Sequence, residues 1–331
     1  MKKTLLTIAL MGIAGSAAAA TDPLKVYGKL NVTVEQADKG ASNNENTLKS
    51  NASRFGVKGA MDLDNGMQAI YQMEWEINVT DESASGSSND HIKARSQYIG
   101  LRGDFGTVLL GRNDTMLKQA QGKVDQFNDL DGDMKHLFKG ENRLGNTLTY
   151  QTPMFGLFNA GLTYITEGNT AQRVTSYDTN GEPVKYADGY SVMAGYGDSD
   201  FKKAPMYASV AYDNDVKGYD HTRVTVSGKV SDWVLSAVYQ KGQKSTDSSK
   251  DYSGYLLSAA YSIGKTKLKV QYQDSDLYRI DSKTHFDKSM SVGADYKLGH
   301  STKVFAFYTH FAGVMGNADN NYLGLGLEQK F

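Results

Sequence analysis

Cysteine is absent from the 331 residues, proline occurs four times and tryptophan twice. Without cysteine there is no thiol nucleophile, no thiolate-bound metal and no disulfide framework, so disulfides cannot report on an exported location. Scarce proline removes the residue that most disrupts paired strands, because proline has no backbone donor to give a ladder. Beyond the first twenty residues no window holds the roughly 18 to 20 consecutive apolar residues that a membrane-spanning helix needs. An excess of one charge is lacking too. Setting aside Lys2 and Lys3 leaves 34 basic and 37 acidic residues, a net charge of −3. That balance gives no reason to expect a nucleic-acid partner.

Residues 1–20 read as an address. Lys2 and Lys3 open it, Leu5 to Ile13 form a short apolar stretch, and Ala18 and Ala20 occupy the small-residue positions before a cut. The stretch is too short to cross a bilayer as a helix, so a cleaved secretory signal is expected, with Thr21 first in a mature domain of residues 21–331. What is abundant is glycine, 34 residues against an average share of about 7 %, and tyrosine, 21 residues. Tyrosine suits strands and membrane interfaces, where the ring lies in apolar surroundings and the hydroxyl in water.

Period-two alternation runs from end to end. Leu24, Val26, Gly28, Leu30, Val32 and Val34 share one face of the first segment, and Lys25, Tyr27, Lys29, Asn31, Thr33 and Glu35 the other. Met67 through Val79 and Met290 through Leu298 repeat the pattern. Short turns, as at Asp64-Asn65-Gly66, Ser231-Asp232 and Gly264, alternate with long polar stretches near 37–50, 80–91, 113–142, 167–186, 241–250 and 276–286. That asymmetry is the layout of a transmembrane β-barrel. The reading is all-β, a transmembrane antiparallel β-barrel of about 16 strands, over 23–36, 51–62, 67–79, 93–103, 106–112, 143–152, 157–166, 187–197, 203–213, 221–231, 232–242, 252–263, 265–275, 287–297, 302–312 and 321–331. In the last of these Leu323, Leu325, Leu327 and Phe331 oppose Tyr322, Gly324, Gly326, Glu328 and Lys330, which suits a barrel-closing strand.

Several segments carry a more specific likeness: Val26-Tyr27-Gly28-Lys29, Ser53 to Gly59 (SRFGVKG), Arg95 to Gly103 (RSQYIGLRG), Gly106 to Arg112 (GTVLLGR), Arg143 to Gly156 (RLGNTLTYQTPMFG) and the terminal Phe331. In this order the chain resembles the general bacterial porins, trimeric sixteen-stranded channels of the Gram-negative outer membrane. The resemblance implies an inward-folded third loop that narrows the pore, here residues 113–142. It also implies a constriction with Lys29, Arg54, Arg95 and Arg143 on the basic side and Asp129, Asp131 and Asp133 on the acidic loop. Alternation separately puts Lys29 and Arg54 on the polar face, and Arg143 on the face of Thr147 and Gln151. The loop lacks the Pro-Glu-Phe-Gly-Gly type of turn of the enterobacterial members, which leaves open which aspartate reaches the waist.

Other signals are weaker. Asp129-Leu130-Asp131-Gly132-Asp133 is similar to the start of an EF-hand loop, but Met134 stands where glycine is needed and Gly140 where the bidentate glutamate is needed. The six histidines have no pair at metal-ligand spacing. A barrel phospholipase would need a serine beside a histidine, and neither a Gly-x-Ser-x-Gly elbow nor a His-x-Ser-Asn signature occurs. The expected function is passive diffusion of ions and small hydrophilic solutes, without enzyme activity, cofactor or metal. Implied partners are outer-membrane lipid, lipopolysaccharide and two further copies in a homotrimer. Rival readings are a porin biased to sugars and an adhesion or scaffold barrel with a blocked lumen. Six acidic residues against four lysines in the third loop, facing a basic wall, leave the ion preference open.

Overall fold

The computed structural model describes residues 23–40, 44–80, 91–177 and 181–331. The expected leader over 1–20 lies outside them, as do the middles of the connections near 37–50, 80–91 and 167–186. The strands are β1 (Lys25–Asp38), β2 (two runs, Asn44–Ser50 and Arg54–Asp62), β3 (Gln68–Ile77), β4 (Ile92–Gly103), β5 (Gly106–Asp114), β6 (Arg143–Gln151), β7 (Phe158–Ile165) and β8 (Gly189–Gly197). They continue as β9 (Met206–Val216), β10 (Tyr219–Val230), β11 (Trp233–Lys244), β12 (Asp247–Ile263), β13 (Thr266–Ser275), β14 (Phe286–Lys297), β15 (Thr302–Gly313) and β16 (Asn320–Lys330). Each pairs antiparallel with the next. The ring closes where β1 meets β16, from Lys29 opposite Lys330 to Asp38 opposite Asn321. Among the described residues this is a closed barrel of sixteen strands, as the alternation predicts.

Closure decides between a barrel and a soluble sandwich, which alternation alone does not separate. The burial is inverted relative to a water-soluble fold. Along β1, Thr33 is fully buried and Val34 is 60 % exposed. Ser191, Thr225, Gln271, Ser291 and Thr309 are likewise buried while Leu235, Leu257, Leu323 and Leu325 are exposed. An exposed apolar face is stable when it meets lipid, and closure leaves no strand edge unpaired inside the bilayer.

Two departures from the predicted strands matter. The first concerns β2, which begins at Asn44, where the sequence predicts a polar loop to residue 50. Lys29 pairs with Arg54 but Val32 pairs with Ser50, so β2 holds one residue more than β1 across that interval. This β-bulge centres on Ala52, at φ +48°. The slip turns odd-numbered Lys49 and even-numbered Arg54 to the same inner face. The second lies in the connection near 167–186, where Val174–Tyr177 and Pro183–Tyr186 pair as a separate small hairpin.

The inner face is not polar throughout. Phe305 and Phe307 on β15 are buried there, and β16 makes room for them with glycine. A Cβ at Gly326 would stand 2.3 Å from the Phe305 ring, and one at Gly324 the same distance from Phe307.

Candidate functional site

The connection from β5 to β6 begins with α1 (Met116–Ala120), capped by the Thr115 hydroxyl, which accepts from the Lys118 amide. Met116, Leu117 and Ala120 are buried, and α1 packs on β8 and β9. A connection of this length has many backbone groups to satisfy, and inner-face side chains satisfy them. Tyr207 and Ser209 donate to the Ala120 carbonyl at 3.0 and 2.6 Å, and Ser191 accepts from the Leu117 amide. Ser258 donates to the Val124 carbonyl, and Gln271 and Gln273 to that of Gly132. Two apolar clusters complete the contact. Val124, Met134, Leu137 and Phe138 pack on Val238, Leu256 and Phe311, and Phe127 and Leu130 pack on Phe305 and Phe307.

The tip of this segment meets the opposite wall. Asp129 Oδ2 accepts from Lys29 Nζ at 2.7 Å and Arg54 Nη2 at 2.8 Å. Asp129 adopts φ +69°, a left-handed conformation that Asp tolerates better than most residues. Asp131 pairs with Lys49, whose ammonium also lies 3.6 Å from Glu35. Asp133 turns back into its own segment, accepting from the amides of Asp129 and Lys135, each at 2.9 Å. Arg95 reaches no loop aspartate; it donates to Glu74 at 2.7 Å and Glu76 at 2.6 Å on the neighbouring strand. Arg143 is paired with Asp114 at 2.9 Å. Of the seven residues named from the sequence, Lys29, Arg54 and Asp129 therefore meet directly. The three aspartates diverge to separate partners, so the EF-hand-like run presents no convergent set of ligands.

Between the segment and the wall of β2 to β6 lies a cavity of about 560 Å³, lined among others by Arg54, Glu76, Arg95, Asp114, Asp129 and Arg143. The sequence model of the Gram-negative porins matches residues 6–314. The chain belongs to this porin family. It is 28 % identical to outer membrane porin protein 32 of Delftia acidovorans, over 98 % of this chain and 92 % of that one. Its fold is similar to Salmonella typhi OmpF in complex with daunomycin (TM-score 0.71, 17 % identity, 93 % and 97 % of the chains). It is also similar to an anion-selective porin from Comamonas acidovorans (TM-score 0.66, 21 % identity, 93 % and 99 %). As a porin it is an outer-membrane channel for passive diffusion; the relatives it matches are channels rather than enzymes.

Sequence reading missed four charged groups at or beside this cavity. Glu74 and Glu76 lie on the polar face of β3, but only pairing with β4 shows that they neutralise Arg95. Lys49 was hidden by the bulge. Arg223, wholly buried, donates to Glu141 at 2.6 Å and to the Lys139 carbonyl at 3.2 Å, fastening the returning end of the segment. The cavity lining carries six cations and five carboxylates. Burial alone would raise the Asp129 pKa, but Lys29 and Arg54 outweigh it and hold the carboxyl at about 2.

Proposed function

We propose that residues 113–142 form the constriction of this porin and that solute passes between that segment and the wall of β2 to β6. The observation that carries this reading is the bond of Asp129 to Lys29 and Arg54, which ties the tip of the segment to β1 and β2 and leaves the cavity beside it. Lys29, Arg54 and Asp129 set one edge of the waist, Arg95 and Arg143 line it, Asp131 fixes the tip through Lys49, and Asp133 shapes the turn. A waist lined by alternating charges admits ions and small hydrophilic solutes and rejects apolar ones, which lose hydration without gaining partners. Trp75 stacks on Phe55 and Trp233 on Tyr261, and Phe55 and Trp233 are exposed on the apolar face, so neither tryptophan offers a sugar track inside.

The family resemblance further supports a homotrimer seated in outer-membrane lipid and lipopolysaccharide after removal of the leader over 1–20. The outward Phe55, Val57 and Gly59 on β2 suit contact between copies. Uptake by proteoliposomes of neutral solutes of increasing size tests the reading. Rapid entry of small sugars with a sharp fall-off at larger ones is expected; exclusion of every sugar would overturn it.

A further inference from the structure

The inner wall carries a run of charge that continues from the waist residues Lys29 and Arg54 around to β13. Strand register puts Lys267 opposite Asp295, Lys303 opposite Glu328, Lys330 opposite Lys29, and Lys29 opposite Arg54. These residues follow one another around β13 to β16 and on to β1 and β2 at neighbouring levels of the barrel. Lys267 is three residues beyond the Gly264 turn, so its end of the row lies toward the short-turn mouth, which faces the periplasm in such barrels.

The carboxylates in this row are shared. Asp295 pairs with Lys269 at 2.8 Å and Lys303 at 3.0 Å. Glu328 lies 3.3 Å from Lys330 and 3.9 Å from Lys303, and Asp129 serves both Lys29 and Arg54. Six cations thus meet three carboxylates. The one left over is Lys267. Among the described residues it has no carboxylate within ion-pair distance, and its ammonium donates to the neutral Gln126 side chain at 2.8 Å. The nearby Lys123 is paired with Asp200, and Asp125 is occupied by the amides of Phe127 and Met134 and by Gln271. Lys269 is held over the Phe127 ring, 4.8 Å from its centroid, which fixes its ammonium beside this gap.

An ammonium half-withdrawn from water, with other ammonium groups as neighbours and the carboxylate across from it already shared by two of them, attracts a mobile counter-ion. A multivalent oxyanion offers several acceptors and gains more from clustered cations than chloride does. We infer that Lys267, with Lys269 and Lys303, forms a holding step for small multivalent oxyanions beneath the constriction. This rests on the lumen conducting as proposed above.

The test is planar-bilayer recording of the full channel in potassium chloride, with inorganic phosphate titrated in at constant ionic strength. Phosphate is expected to lower single-channel chloride conductance saturably. Lys267→Gln should raise the half-effective phosphate concentration by about tenfold, the loss of one charge-assisted contact, and Lys267→Arg should stay within about threefold of the native value. An open channel in chloride alone, whatever its unit conductance, reports that each variant folds. A native channel indifferent to phosphate, or a Gln variant with the native response, overturns the inference while leaving the channel standing. A protein silent in chloride overturns both.

Discussion

Arg54 Nη2 lies 2.8 Å from Asp129 Oδ2 across 75 positions of sequence, joining the bulged strand β2 to the tip of the β5–β6 connection. The contact depends on the bulge at Ala52, which sets the register that turns Arg54 and Lys49 toward the lumen together. Asp129→Ala removes the acceptor shared by Arg54 and Lys29 and leaves two half-buried cations. The permeability ratio of potassium to chloride is expected to fall by about twofold to fivefold, read from reversal potentials in a salt gradient. Stability should drop by about 1–3 kcal/mol, measured by denaturant unfolding in detergent.

Removing cations acts the other way. Arg54→Ala combined with Arg143→Ala frees Asp129 from one partner and Asp114 from its arginine, so the reversal potential should shift toward cation preference. An unchanged reversal potential would remove both arginines from the waist.

The pH response follows from Asp129. Its pKa of about 2 lies below the ordinary 3.8. A depressed carboxyl contributes stability that is complete above 3.8 and fades as pH falls through 2. Between pH 7 and pH 4 the contribution of Asp129 to selectivity should not change, and below about pH 3 the channel should move toward anions. In Asp129→Asn the component below pH 3 should be absent. A shift of the native channel already near pH 5 that Asp129→Asn abolishes would contradict the assignment.

Barrel closure has its own signature. The Phe331 ring covers Gly28, where a Cβ would stand 2.3 Å from the ring, and the two backbones exchange hydrogen bonds of 2.9 and 3.2 Å. Gly28→Ala should destabilise the barrel, and far less so when Phe331 is also alanine. A double-mutant cycle on unfolding in detergent should return a coupling of about 1 kcal/mol or more; additive effects would show that the ring does not rest on Gly28.

Much of this architecture is legible in the residues because a barrel wall obeys a local rule. Each strand must show lipid one face, so alternation reveals strand number and facing without any knowledge of partners. The proposed waist is less legible because it depends on register. Arg95 and Glu74 are on adjacent strands, and nothing in either segment says that their side chains meet. Lys49 looks like loop in the sequence because a bulge breaks the alternation between it and Arg54. Phe305 and Phe307 sit on the inner face against the pattern, and their reason is Phe127 and Leu130, more than 170 positions away. The sequence does not separate Asp129 from Asp131 and Asp133; the turn held by Asp133 selects which of them reaches Arg54.

The central claim is that the passage runs beside the tip of residues 113–142, and the absence of native cysteine allows a direct test. Asn128→Cys places the only thiol of the chain on the cavity, and Val34→Cys places it on the exposed outer face. Each is reacted with a bulky, negatively charged thiosulfonate during single-channel recording. The account predicts stepwise loss of most of the conductance for Asn128→Cys and none for Val34→Cys. Full conductance through a channel shown by mass to be labelled at position 128 would contradict it.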